Sequence, residues 1–265
     1  MTNLVANFEQ ILSFAEKMKM PLTKKRGIIR EYLQSKFIAD FYSQPAAKKM
    51  VFIGGTSLRL LRDIPRFSED LDFDNHGLKQ IEVEKIVQAV VNGFLLENIQ
   101  LEFKSVAKGK KTYFTLKFPN LLYDLKITTN PKEKLMIKVD YNDHWQLKTK
   151  VVLMNKYGFV EQVVTNQFSE ILRQKLTAYV GRKQIQPRDM YDIVWIFGQQ
   201  PELFDFKKIK ELGFRQLFVN VDERLAEVGV TMQMKKRLRP FLFNEAEVRK
   251  LDFFPQVIKQ TLGSD

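Results

Sequence analysis

Apolar residues recur at Leu4, Val5, Phe8, Ile11, Leu12 and Ala15, close to the i, i+3, i+4, i+7 spacing that lays one stripe along an α-helix, with Phe14 off the stripe. Pro21 ends or restarts that helix. Thr23 is placed to cap a second one through Ile28, Ile29, Tyr32, Leu33, Phe37, Ile38 and Phe41, which Pro45 breaks. The pattern then changes to that of a sheet. Met50 to Ile53 is apolar throughout and reads as a strand, Gly54-Gly55 as a tight turn, and the short amphipathic stretch after it as a helix. Asp70 to Asp74 alternates carboxylates with Leu71 and Phe73, the period of a second strand. Asn75-His76-Gly77 signals a turn, and Val83, Ile86, Val87, Val90, Val91 and Phe94 predict a helix over Ile81 to Leu96. Strands are expected at Ile99 to Val106, Thr112 to Phe118 and Met136 to Asn142, with Lys108 to Lys111 as a basic turn between the first two.

From Thr165 onward the spacing is helical. Ser169 is the expected cap of a helix burying Ile171, Leu172, Leu176, Tyr179 and Val180, and Gln186-Pro187 opens the next, packed through Ile193, Trp195, Ile196 and Phe197. Pro201, Pro240 and Pro255 mark later junctions. These patterns predict an α/β (α+β) protein with N-terminal helices over residues 1–45, a mixed-sheet core over 46–160 and a helical region over 161–265, with Tyr157-Gly158 as a hinge. No repeat or low-complexity linker interrupts them.

The stretch from Ile53 to Asp74 carries the chemistry. Gly54 and Gly55 permit φ > 0 and a close backbone approach, so amide groups and the Thr56 and Ser57 hydroxyls can face an anion at a helix N-terminus. Asp70, Asp72 and Asp74 fall on one strand face, where like charges two residues apart are best tolerated with a cation between them. Hard oxygen donors suit Mg²⁺, which takes one or two carboxylates together with waters and substrate phosphates. A lone Asp-x-Asp is most often a solvated strand face. A phosphate seat and a carboxylate pair in one short strand-helix-strand unit point instead to metal-assisted phosphoryl or nucleotidyl transfer.

Composition narrows the rest. A formal net charge of +12 favours polyanionic partners, nucleic acid first. With no cysteine, disulfides, thiolate nucleophiles and cysteine-ligated zinc are excluded, and the cytoplasm is the expected compartment. His76 and His144 are not at metal-ligand spacing and read as surface or turn residues. No apolar run approaches the roughly 20 residues of a membrane span, and Met1 to Met20 lacks the uninterrupted apolar region of a signal peptide. Lys235-Lys236-Arg237-Leu238-Arg239 reads equally as a nucleic-acid-tracking run and as a solvated helix face.

Gly54-Gly55-Thr56-Ser57-Leu58 followed by Arg66-Phe67-Ser68-Glu69-Asp70-Leu71-Asp72-Phe73 resembles the signature of the AbiEii/AbiGii nucleotidyltransferase toxins, members of the DNA polymerase β-like superfamily. The resemblance extends to Lys175-Leu176-Thr177-Ala178, Arg182 and Arg188-Asp189-Met190-Tyr191-Asp192. It implies a polymerase β-like core and Mg²⁺-dependent transfer of a nucleoside monophosphate from a nucleoside triphosphate to an acceptor hydroxyl. Asp70 and Asp72 would hold metal. A third carboxylate is implied on a neighbouring strand; Asp140, flanked by Val139 and Tyr141 and sharing a face with Lys138, is preferred over Asp124. Gly54, Gly55, Thr56, Ser57, Lys175 and Arg188 would contact phosphates, and Asp192 would orient Lys175 or the nucleotide, with Asp189 as a supporting charge. RNA, at the 3′ end of a tRNA, is the expected acceptor. A separate antitoxin protein is the expected partner, in a toxin-antitoxin or abortive-infection system. The rival expectations are nucleotidylation of a protein or a small molecule such as an antibiotic, and a non-catalytic nucleotide- or RNA-binding module.

Overall fold

The two strands expected around the Gly-Gly turn, β1 (Met50–Ile53) and β2 (Asp70–Asn75), pair antiparallel at the centre of a seven-stranded mixed sheet. The structure, a computed structural model, describes residues 3–108, 111–143 and 148–263; Gly109 and Lys110 of the expected basic turn, and His144, lie outside the described residues. The remaining strands are β3 (Glu102–Lys108), β4 (Lys111–Phe118), β5 (Leu135–Asp143), β6 (Thr149–Lys156) and β7 (Phe159–Asn166), in the order β3-β4-β5-β2-β1-β7-β6. The β2–β5 and β1–β7 pairs are parallel and the others antiparallel. The mixed α/β architecture is the one the sequence predicts. The chain divides into two compact units, Met1–Asn166 and Gln167–Asp265.

In the first unit, alternation along the strands sends Leu71 and Phe73 of β2, Val139 and Tyr141 of β5, and Phe114 and Leu116 of β4 to one buried face. Helices α1 (Asn3–Ala6), α2 (Phe8–Lys17) and α3 (Lys25–Tyr42) precede the sheet, and α3 packs on β5 and β7. The Phe73 ring meets those of Phe41 and Phe52 at 4.8 and 5.3 Å. Each such fully buried ring is worth about 1.5–3 kcal/mol over its exposed state. The short helix α4 (Gly54–Arg62) follows β1 directly, and α5 (Gln80–Leu96) packs beside α3.

Local differences from the sequence reading have local causes. Thr23 does not cap α3; the Lys24 carbonyl takes the Gly27 and Ile28 amides instead. Asp124, the rival for the third carboxylate, ends a helical turn, α6 (Leu121–Asp124), and is exposed. Strands β6 and β7 were not anticipated, because Val151, Leu153 and Val160 stay exposed and blur the alternation. Tyr157 and Gly158, expected as a hinge, form the turn of this hairpin with φ of 53° and 86°, the left-handed pair that a tight two-residue connection requires.

The second unit is helical: α7 (Phe168–Gly181), α8 (Pro187–Gln199), α9 (Phe206–Glu211), α10 (Arg215–Val228), α11 (Met232–Leu238) and α12 (Lys250–Leu262). Pro187 occupies the first turn of α8, where its missing N–H costs nothing. Ser169 lies inside α7, one residue past its start, and Pro255 lies inside α12 rather than at a junction. Lys235 of the basic run pairs with Asp252 at 2.6 Å, and Arg237 donates to Gln186 Oε1 at 3.0 Å. Two of its cations are therefore engaged in holding this unit together.

Candidate active site

Gly54 has φ +76°, and a Cβ added to it would stand 2.3 Å from Asp72 Oδ2. Only glycine combines that backbone with that approach, so the turn into α4 lies directly against the β2 carboxylate. Gly55 is under similar pressure: a Cβ there would meet the Arg66 guanidinium at 2.6 Å and Ser68 Oγ at 2.9 Å. The Thr56 hydroxyl donates to the Asp70 carbonyl at 2.5 Å and the Ser57 hydroxyl to the Gly54 carbonyl at 2.9 Å. Both side chains are buried, so their protons serve the backbone and the amides of the first turn of α4 are the groups left to face an anion. Gly54→Ala is expected to cost at least 1–2 kcal/mol from the left-handed backbone alone. It should also displace the Asp72 carboxylate, read as a lowered melting temperature together with a weakened divalent-cation dependence of activity.

The loop entering β2 is held from α3. Gln34 Nε2 donates to the Glu69 carbonyl at 2.9 Å, Arg30 pairs with Glu69 at 2.9 Å, and Gly27 leaves room for the Phe67 ring. These positions, i, i+3 and i+7, share one helix face. The buried Arg66 guanidinium donates to the Phe67 carbonyl at 3.0 Å. Behind α4, Arg59 Nε donates to Glu31 at 2.9 Å with both groups buried. Burial alone would lower the Arg59 guanidinium; the Glu31 carboxylate reverses that and holds it above its ordinary value.

Asp72 and Asp140 stand at the same level on the parallel neighbours β2 and β5, and Asp70 stands beside Lys138. Equal register on adjacent strands puts such side chains on one face, so Asp70, Asp72 and Asp140 share it, all partly accessible, while Asp74 is buried. Among the described residues no three carboxylate or imidazole groups converge as a ready-made metal cage. A magnesium site does not need one, since that ion keeps waters and takes substrate oxygens beside one or two carboxylates. The donors present fit it: hard oxygens on one face of adjacent strands, with the Gly54 turn against one of them. Asp124, on its helical turn, is not in this row.

In the second unit, Lys175 Nζ lies 2.8 Å from Asp192 Oδ2 and 3.1 Å from Asp189 Oδ1, and all three residues are buried. Arg182 reaches Asp189 Oδ2 at 3.5 Å. Lys175, which the resemblance places at the phosphates, is therefore the centre of an ion cluster spanning α7 and α8. The Arg188 guanidinium lies over the Phe241 ring, 4.3 Å from its centroid. His76 is half-buried in the turn after β2, its amide donating to the Lys49 carbonyl.

The family model described as the nucleotidyl transferase AbiEii toxin of type IV toxin-antitoxin systems matches residues 36–257. The chain belongs to this AbiEii family. Membership makes it a nucleotidyltransferase and implies a nucleoside triphosphate substrate and an antitoxin. JHP933 from Helicobacter pylori shares its fold, with a TM-score of 0.52 at 18% identity over 89% of this chain and 93% of that one. Another H. pylori structure, assigned provisionally as a nucleotidyltransferase, gives a TM-score of 0.52 at 18% identity over 89% of this chain and 96% of its own. No curated protein matches the chain. In this AbiEii chain the structure adds positioning groups that motif reading left unassigned. Arg66 lies within the motif but is given no role there, and Gln34 is a polar residue interrupting the apolar stripe of α3. That interruption is the signal that could have marked it.

Proposed function

We propose that this AbiEii chain transfers a nucleoside monophosphate from a nucleoside triphosphate to an RNA hydroxyl, at the 3′ end of a tRNA, with release of pyrophosphate. The observation that carries this reading is the level pairing of Asp72 with Asp140, with the Gly54 turn against Asp72. Bound through Asp70, Asp72 and Asp140, Mg²⁺ would neutralise phosphate charge and raise the acidity of the acceptor hydroxyl. Gly54, Gly55, Thr56 and Ser57 seat the terminal phosphates through the first-turn amides of α4, where the helix dipole favours an anion. Asp140 orients the attacking hydroxyl and draws off its proton. The new O–P bond forms at the α-phosphorus as the bond to the β-phosphate oxygen breaks. Lys175 contributes positive charge to the departing pyrophosphate, Asp192 holds Lys175, and Arg188 assists at the phosphates. Electrostatics of this kind supply most of the catalysis in phosphoryl-type transfers, where the protein makes little covalent chemistry.

The proposed setting is the cytoplasm, where triphosphates and tRNA are available, with the antitoxin restraining growth arrest. Among the described residues no helix is long and apolar enough to cross a membrane. The test is incubation of the purified protein with each α-labelled nucleoside triphosphate, Mg²⁺ and total RNA. Label should appear on a tRNA-sized band, and excess chelator should abolish it. Label on protein or on a small solute would redirect the proposal to those acceptors, and nucleotide binding without pyrophosphate release would replace it with a binding module.

A further inference from the structure

The sheet face opposite the core continues well beyond the carboxylates. In one row across the strands Lys104 of β3 faces Thr115 of β4, Thr115 faces Lys138 of β5, and Lys138 faces Asp70 of β2. In the adjacent row stand Val106, Tyr113, Asp140 and Asp72. Among the described residues of the first unit no helix covers these rows as α3 and α5 cover the other face: Lys104 and Lys138 are exposed, Val106 is 43% exposed, and Tyr113 and Thr115 are half-exposed. Lys104 and Lys138 enter no ion pair among the described residues, unlike Lys134, which is paired with Glu102 at the corner of the sheet. Strands lie about 4.8 Å apart, so the row from Asp70 to Lys104 runs roughly 14 Å.

We propose that this open face of β3, β4 and β5 is the platform for a single-stranded RNA acceptor. Its 3′-terminal ribose would lie at Asp72 and Asp140, a base on the Tyr113 ring, and its upstream phosphates over Lys138 and Lys104. The inference rests on the nucleotidyl-transfer reading above and adds where the acceptor lies. Charge along the rows decides the occupant. The β2 end is anionic and the β3–β4–β5 side carries free ammonium groups, so the ligand must be uncharged at its reacting end and anionic behind it. A strand ending in free ribose hydroxyls has that polarity, with its phosphates upstream only. Tyr113, the aromatic of the row that holds Asp140, offers the ring face on which an unpaired base stacks. An open sheet with an aromatic and flanking cations suits single strands, whose bases are free to leave their own stack. An acidic peptide would satisfy the lysines and leave Tyr113 without a role.

The test uses the full chain and a fluorescent oligoribonucleotide with a free 3′ hydroxyl. Lys104→Glu combined with Lys138→Glu should weaken binding at least tenfold and reduce the log–log salt slope by about 1.4, the value for two phosphate contacts on a single strand. Lys104→Glu alone should raise KM for the RNA acceptor with KM for the nucleotide unchanged. Tyr113→Ala should weaken binding about tenfold, and Tyr113→Phe should restore it. Wild-type salt slope and acceptor KM in the lysine variants, while label still reaches RNA, would overturn the platform and leave the RNA-transfer reading standing. Should wild type label protein or a small solute but no RNA, the transfer reading falls first and the platform with it. An acidic peptide competing equally with the oligoribonucleotide, insensitive to Tyr113→Ala, would assign the face to a protein partner instead.

Discussion

Asp72→Ala removes nucleotidyl transfer, by about 10³-fold or more, and leaves the fold in place. A metal-held phosphate typically gains several kcal/mol of charge stabilisation in the transition state, and about 4 kcal/mol corresponds to that factor. Asp72 occupies the central position of the three proposed ligands: next to Asp70 on its own strand, level with Asp140 on β5, and against the Gly54 turn. Its loss takes away a ligand and the wall of the phosphate seat together. The fold should tolerate the change because the apolar partners of β2, Leu71 and Phe73, face the other side and remain packed. The check is transfer of α-label to RNA alongside circular dichroism and thermal unfolding of the same preparation. Wild-type transfer by a folded Asp72→Ala protein would sink the mechanism. Asp124→Ala, on an exposed helical turn away from this row, should leave transfer unchanged.

What the chain declared in advance was whatever strict periodicity could encode. The alternation of Asp70, Leu71, Asp72 and Phe73 determined both the strand and its faces, since a one-residue slip would bury the carboxylates and expose the rings. The same logic applied to β5, where Ile137 and Val139 alternate with Lys138 and Asp140. Which strand lies beside which is set by long-range pairing, and no local pattern states it. Proximity of Asp140 to Asp72 thus needed either the family resemblance or the structure. The β6–β7 hairpin escaped because its exposed face carries Val151, Leu153 and Val160, so hydrophobicity does not alternate with burial there. Its turn also uses a tyrosine at positive φ, where Asn or Gly is the usual signal. The partners of Gln34 and Arg30 were illegible for another reason: the break in the apolar stripe of α3 marks a position, but does not name the loop, more than thirty residues away in sequence, that it holds. Lys175 was expected at the phosphates from the family resemblance, and its burial between two carboxylates became visible only with α7 and α8 side by side.

Lys175→Met should destabilise the protein by about 3–5 kcal/mol, the usual cost of removing one partner from a buried ion cluster. Methionine keeps the length and much of the volume, so the loss is chiefly electrostatic: Asp192, fully buried, loses a cation at 2.8 Å, and Asp189 loses one at 3.1 Å and retains Arg182 at 3.5 Å. Denaturant unfolding measures this directly. A second substitution separates structure from catalysis. Adding Asp192→Asn to Lys175→Met removes the carboxylate left most exposed to that penalty, so stability should recover by about 1–3 kcal/mol, the scale of a relieved buried polar group. If Lys175 serves only to join α7 to α8, transfer should recover in step with stability. If its ammonium acts on the departing pyrophosphate, the double variant regains its fold and stays inactive, with the deficit falling on kcat because the interaction strengthens only as charge develops on the leaving group. The buried cluster is then a device that holds one ammonium in a fixed position: two carboxylates offset the desolvation of a single lysine, and the rigidity of the α7–α8 pair is what their burial provides.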